Sequence, residues 1–137
     1  MTRRELKNNL VLTEFDLIKL KKIVEIAKRY PAHHENLAAL EERLDTAQVV
    51  SPGELPSNVV NIETTVSITD LDRSEQRTYK LVFPREASRE NHLSVAAPLG
   101  CALLGRRIGE VIELQVPAGR RRIRVDGIAR DTKGMAA

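Results

Sequence analysis

The sequence of 137 residues offers few side chains that could carry out catalysis or bind a metal. An adjacent histidine pair, His33 and His34, is followed directly by Glu35. Imidazole and carboxylate groups together can bind transition metals. Adjacent residues on a loop rarely point at one ion, so we predict no metal there. His92 has no partner at ligand spacing, and we predict that it lies at the edge of a strand.

The single cysteine, Cys101, is the candidate nucleophile, because a histidine could activate its thiol. Its neighbours from Leu99 to Leu104 are mostly apolar, which favours a buried and inert core thiol. One cysteine also excludes an intramolecular disulfide framework and suits a reducing compartment. No Ser/His/Asp arrangement and no phosphate-binding glycine loop is visible. We therefore predict no catalytic residue and no cofactor.

Positive charge is concentrated towards the two ends of a chain whose net charge is +3. Residues 1–30 carry eight Lys and Arg against four acids, and residues 118–137 carry six against two. Such ends suggest an acidic partner surface, although ordinary solvated faces are the alternative. The densest cluster, within residues 120–124, would alternate between the faces of a strand. Aromatic residues make up only 3%, so base-stacking platforms are missing and we expect only indirect contact with DNA or RNA.

Two apolar stripes at helical spacing predict a short antiparallel helical hairpin over residues 1–50. The first stripe predicts a helix from about residue 14 to 29, with Thr13 as its N-cap and Pro31 as its stop. The second stripe predicts a helix that ends before residue 51. The stripe residues are Leu17, Leu20, Val24 and Ala27, then Leu37, Leu40, Leu44 and Ala47. The loop YPAHHEN joins the two helices.

Residues 51–58, SPGELPSN, are dense in turn formers and predict a linker. Beyond them the apolar period changes to two, which predicts a small, largely antiparallel sheet over residues 59–131. Val60, Ile62, Val66 and Ile68 should share a face of one strand, and Tyr79, Leu81 and Phe83 a face of its partner. GEVIELQVP and RRRIRVDGIAR should pair across Ala118-Gly119. Residues 132–137 are predicted to be a flexible tail.

Between the strand pairs lies LSVAAPLGCALLG, an apolar run that contains a proline and two glycines. Residues 92–95 predict a short strand. Pro98 at a helix start and Gly105 just past its end predict a helix of about two turns. A short apolar helix after a strand can fill the concave face of a bent sheet, and the loop before it would be displayed by a rigid scaffold.

This region resembles the C-terminal domain of the GreA/GreB transcript cleavage factors. The matching motifs are Ser94-Val95, Pro98, Ala102-Leu103-Leu104-Gly105, Gly109-Glu110 and Pro117-Ala118-Gly119. LDTAQVVSPGELPSNVV and RTYKLVFP look closer to Rnk, the regulator of nucleoside diphosphate kinase, in the same superfamily. The resemblance covers about residues 10–131. It implies an α+β fold, in which a coiled-coil hairpin precedes an FKBP-like antiparallel sheet wrapped around a short helix.

The resemblance also implies a partner, RNA polymerase, on which the family docks near the secondary channel through the loop entering the short helix. Gre factors commonly place polar groups before the proline, whereas this chain has two alanines, so weaker or different contacts are expected. A docked monomer could exclude Gre factors. The implied docking residues are Ala96, Ala97, Pro98 and Leu99, with Arg106 and Arg107 contributing if docking is electrostatic.

Gre hairpins present acidic residues that help hold a magnesium ion for cleavage of backtracked RNA. The tip implied here, His33, His34 and Glu35, offers one carboxylate, and bridging a hard cation usually takes more than one oxygen ligand. At about 1.5 Å per residue, arms of roughly 20 to 25 Å look too short to reach a buried active site. We predict that this chain binds no metal and does not cleave RNA, and hence that it is not an enzyme.

Two other functions stay open. The Rnk resemblance suggests regulation of another protein, such as nucleoside diphosphate kinase. The FKBP-like fold suggests a prolyl isomerase, but such a pocket is walled by several aromatics and this domain has Tyr79 and Phe83 alone. No apolar stretch reaches 18 residues and MTRRELKNNL lacks a signal-peptide core, so we expect a cytoplasmic protein without a membrane partner.

Overall fold

The computed structural model describes residues 10–29 and 35–130. The chain divides into two compact units, Met1–Pro56 and Ser57–Ala137, with the division inside the predicted linker. Across the described ranges, no helix has the length and apolar character needed to cross a bilayer. The predicted tip residues His33 and His34 and the predicted tail at 132–137 lie outside these ranges.

The first unit contains two helices, α1 (Glu14–Ala27) and α2 (Glu35–Asp45). Thr13 is the N-cap of α1, as predicted, because its hydroxyl accepts a hydrogen bond of 3.2 Å from the Asp16 amide. The helices pack against each other through five leucine and valine side chains that are at most 2% exposed: Leu20, Val24, Leu37, Leu40 and Leu44. The apolar stripes therefore form the mutual seam of the hairpin.

The predicted extent of the second helix is too long. The chain leaves α2 at Asp45, and Gln48–Val49 (β2) pairs in parallel with Val11–Leu12 (β1). The amide of Gln48 donates to the Leu10 carbonyl at 2.7 Å. Ala47 is thus a connector, because the backbone beyond α2 is bound by a strand pairing that the apolar spacing did not reveal.

The second unit is built on a five-stranded sheet in the order β5-β4-β3-β7-β6. Three neighbouring pairs are antiparallel, whereas β5 runs parallel to β4. The strands are β3 (Thr64–Asp70), β4 (Glu75–Val82), β5 (His92–Ser94), β6 (Val111–Val116) and β7 (Gly119–Arg130). Both predicted hairpins are present, and the mixed α+β class with an antiparallel-rich sheet is confirmed.

Two predicted strand ends differ from the structure. The first strand begins at Thr64 rather than Val60, because the Thr64 hydroxyl and amide donate to the Asn61 carbonyl and close a turn. Glu63 completes that turn with a φ of 67°. The next strand ends at Val82, and Phe83 lies just beyond it. Leu81, Val82 and Phe83 are all buried, so the alternation of faces stops there.

The third helix, α3 (Pro98–Leu103), begins at the predicted proline and is followed by Gly105 with a φ of 82°. Its residues from Gly100 to Leu103 are buried, which confirms a core helix. The Cys101 thiol is buried and donates to the Val95 carbonyl at 3.0 Å, as expected of a packed core cysteine. Gly100 lies so close to β5 that a Cβ there would be 2.0 Å from the Ser94 carbonyl oxygen. Only glycine fits this position.

Candidate protein-docking site

The loop between β5 and α3 is held by backbone hydrogen bonds at both ends. The Val95 amide donates to the Val82 carbonyl at 2.8 Å, and the Ala97 amide donates to the Ser94 carbonyl at 3.1 Å. The Ser94 hydroxyl accepts from the Ala96 amide at 3.1 Å. These bonds leave the loop little conformational freedom, so its exposed side chains are presented in one arrangement.

This loop carries the predicted docking residues Ala96, Ala97, Pro98 and Leu99. Pro98 is exposed, and the other three are half-buried. None of the four side chains carries a charge or a hydrogen-bonding group. The surface that they offer is therefore apolar, and a partner would recognise its shape and buried area rather than its charge.

Leu99 also contributes to a cavity of about 320 Å³ on one face of the sheet. Its lining is mixed, with six apolar and five charged residues. The apolar members are Ile68, Tyr79, Leu99, Leu114, Val116 and Ile123, and the charged members are Asp70, Arg73, Glu75, Arg77 and Arg121. The loop thus shares one residue with a partly apolar cavity, which sequence reasoning did not identify.

The alternation of apolar side chains along β6 and β7 was the signal for this cavity. Sequence reasoning proposed only that the short helix fills the concave face of the sheet. The helix α3 has only six residues, and part of the inner sheet face remains accessible beyond it.

The arginine cluster of β7 is paired with carboxylates throughout. Arg121 lies 3.3 Å from Asp70, and these side chains are only 22% and 11% exposed. The three exposed pairs are Arg120 with Glu113 at 3.2 Å, Arg122 with Asp72 at 3.1 Å and Arg124 with Asp126 at 2.7 Å. Their positive charge is locally balanced, which makes the cluster a poor phosphate-binding surface.

The two arginines after α3 differ in their surroundings. The guanidinium of Arg106 donates to the Ala102 carbonyl at 2.9 Å and lies 3.6 Å from Glu110. It therefore caps its own helix. Arg107 pairs with Val59 through its backbone, and its side chain is exposed. Arg107 is therefore the more exposed of the two cations.

No candidate metal site is found in the described ranges. No group of three or more His, Cys, Asp or Glu side chains comes together there. His92 lies in β5, at the edge of the sheet as predicted, and its Nδ1 is 2.8 Å from the Glu86 carbonyl oxygen. Glu35 is the first residue of α2.

Two aspartates that accept hydrogen bonds from arginines of β7 should make the second unit sensitive to acid. The Arg122 amide and guanidinium donate to Asp72 and lower the pKa of its carboxyl. The Thr69 hydroxyl and then Arg124 donate to Asp126 and lower its pKa also. Because unfolding returns both groups to ordinary pKa values, the unfolded chain binds more protons below about pH 4, and stability should fall with pH there.

The Asp126→Asn variant tests this linkage. It should lose stability at pH 7, and its free energy of unfolding should change less between pH 5 and pH 2.5 than that of the wild type. Urea unfolding at several pH values measures both. An acid dependence equal to that of the wild type would contradict the assignment of Asp126.

The fold is a helical hairpin followed in the chain by an antiparallel-rich sheet with a short core helix. The chain belongs to the GreA/GreB transcription elongation factors, since the family model "Transcription elongation factor, GreA/GreB, C-term" matches residues 55–130. This match confirms the resemblance drawn from the sequence motifs.

Individual relatives agree with this membership. The chain is 41% identical to a "Transcription elongation factor GreA" of Chloroherpeton thalassium over 103 residues, which are 74% of this chain and 65% of that protein. It is 43% identical to the "Regulator of nucleoside diphosphate kinase" of Escherichia coli K12 over 82 residues, which are 59% of this chain and 60% of that protein. The chain therefore spans less than two thirds of the length of either relative.

A solved structure has the same fold. "Prokaryotic transcription elongation factor GreA/GreB from Nitrosomonas europaea" superposes with a TM-score of 0.72 at 28% identity. The match covers 88% of this chain and 98% of that one. It therefore spans both the helical hairpin and the sheet.

Proposed function

We propose that this chain binds RNA polymerase near its secondary channel through the loop of Ala96, Ala97, Pro98 and Leu99, and that it regulates transcription without cleaving RNA. The observation that carries the proposal is the presentation of this loop. Backbone hydrogen bonds hold it at both ends, and Pro98 is exposed at the start of a buried helix within the family-matched residues.

The chemistry of the loop predicts how binding should respond to salt. Ala96 and Ala97 bring no polar group, and Arg106 is occupied by the end of its own helix. Apolar contact by Pro98 and Leu99 therefore supplies most of the affinity, with Arg107 as a peripheral charge. A rim charge mainly affects the association rate. Salt should slow association with polymerase and change the dissociation rate little.

The proposed absence of cleavage rests on the tip sequence, which offers Glu35 as its single carboxylate between residues 30 and 35. A backtracked elongation complex incubated with the purified chain should retain full-length RNA, whereas GreA should shorten it. Timed sampling on a denaturing gel measures the result. Shortened RNA at a rate comparable to that with GreA would contradict this part of the proposal and leave docking untouched.

A second candidate function follows from the 43% identical relative named for regulation of nucleoside diphosphate kinase. Regulation of that kinase would require direct contact or an effect through transcription. Co-purification of the kinase with this chain in the absence of polymerase would favour direct contact. The prolyl isomerase alternative is weaker, because Tyr79 is the one aromatic residue among those lining the cavity.

A further inference from the structure

The outward side of α1 is unusually apolar for an exposed helix face. Phe15, Ile18 and Ile26 are 69%, 49% and 52% exposed. At about 100° per residue, Phe15, Lys22 and Ile26 lie in one row, with Ile18 and Lys19 on either side of it. We call these five residues the outer face of α1. Two large exposed apolar side chains in one row, with a third beside it, form an apolar patch of the kind that marks a protein-binding surface.

The charge of this face is positive. Lys19 and Lys22 stand between the apolar residues, and the Lys19 ammonium lies 5.5 Å from the centre of the Phe15 ring. The exposed Glu25 lies at the border of this face, next to Ile18, and lines a small cavity with Glu41 and Asp45 of α2. The outer face therefore combines apolar contact area with two cations.

We propose that the outer face of α1 binds an acidic amphipathic helix of a partner protein. The apolar residues span about 11 positions, or roughly 16 Å, which matches three turns of a partner helix. Glutamates or aspartates flanking the apolar row of such a helix would meet Lys19 and Lys22. This charge complementarity selects the occupant.

Other occupants fit the face less well. A second copy of this chain would oppose lysines to lysines. Nucleic acid would set phosphates against Phe15 and Ile26, which cannot bind them. A membrane-binding helix needs a wide apolar face, but here one ammonium group interrupts the row, a second lies beside it, and the opposite side of α1 is packed in the hairpin seam.

The test uses a synthetic 18-residue helical peptide with leucines at every third or fourth position and flanking glutamates. It is titrated into the full chain at low salt, with fluorescence anisotropy to measure affinity and amide chemical shifts to locate the site. We expect saturable binding with shifts confined to α1. The same peptide with lysines in place of the glutamates should bind at least about tenfold more weakly, because its charge would then repel Lys19 and Lys22.

Two charge reversals on neighbouring positions give a matched control. Lys22→Glu, on the outer face, should weaken peptide binding about tenfold, whereas Lys21→Glu, on the cavity side of α1, should change it by about twofold or less. Phe15→Ser should also weaken binding while circular dichroism shows an intact hairpin.

Equal effects of the two reversals, or no binding, would overturn the proposal. Tighter binding of phosphatidylglycerol vesicles or a single-stranded oligonucleotide to the same residues would also overturn it, as would self-association through this face in sedimentation velocity.

Because this face and the polymerase-docking loop lie in different units, each proposal can fail without the other. A Leu99 substitution should leave peptide binding unchanged, and Lys22→Glu should leave the affinity of the docking loop for polymerase unchanged.

Discussion

Replacing Gly100 by alanine is expected to destabilise the second unit by about 3 kcal/mol or more, although alanine is the better helix former by about 1 kcal/mol. The added Cβ would lie 2.0 Å from the Ser94 carbonyl oxygen and 3.0 Å from the Val95 Cα. Both of these contacts are with backbone atoms, which cannot move aside as a flexible side chain could. That backbone is fixed by hydrogen bonds from the Val95 amide to Val82 and from the Cys101 thiol to Val95. Relief would require α3 to move away from β5.

Gly127→Ala is the matched control for this change. Gly127 lies in β7, no heavy atom stands within 4 Å of a Cβ built there, and its φ is outside the left-handed region. Its substitution should change the free energy of unfolding by about 0.5 kcal/mol or less. Calorimetry should show a melting temperature for Gly100→Ala that is lower by at least about 10 °C. A Gly100→Ala protein as stable as Gly127→Ala would contradict the close approach of α3 to β5.

Leu99→Glu is expected to weaken polymerase binding by at least about thirtyfold, as for the loss of an interface hot spot. Leu99 is the loop residue that also lines the partly apolar cavity of the sheet. A carboxylate there would replace an apolar side chain of the loop and would have to be desolvated on docking. The dissociation constant for core RNA polymerase, measured by surface plasmon resonance, gives the effect.

Val111→Glu is the control for Leu99→Glu. Val111 is 50% exposed on β6 and does not line the cavity, so the same carboxylate should change the affinity about twofold or less. Urea unfolding of both variants establishes that each is folded. A folded Leu99→Glu protein that binds polymerase as the wild type does would remove Leu99 from the docking site.

The helix starts and the core helix were predictable because single residues determine them. Thr13 can cap a helix through its hydroxyl, and Pro98 has the fixed φ of a first helical position. The strand pairing of Gln48–Val49 with Val11–Leu12 was not predictable, because it joins two-residue segments far apart in the sequence. Two residues are too few to show the alternation of apolar and polar side chains that indicates a strand.

The candidate site was predictable only in part. The residues of the loop came from motif resemblance, whereas its exposure and its link to the cavity depend on how far α3 extends over the sheet. The pairing of the β7 arginines with carboxylates was also hidden from the sequence. Two of the four acids, Asp70 and Asp72, lie about 50 residues away from their arginines in the chain. The other two are Glu113 and Asp126. Local charge counts could not show this neutralisation.

Competition with GreA for core RNA polymerase tests the central proposal most directly. The full chain is immobilised, polymerase is bound at low salt, and GreA is added at increasing concentration. We predict that polymerase is retained by the wild type and displaced as GreA saturates, and that Leu99→Glu retains little. Failure of the wild type to retain polymerase at low salt, or retention that saturating GreA leaves unchanged, would contradict docking at the secondary channel.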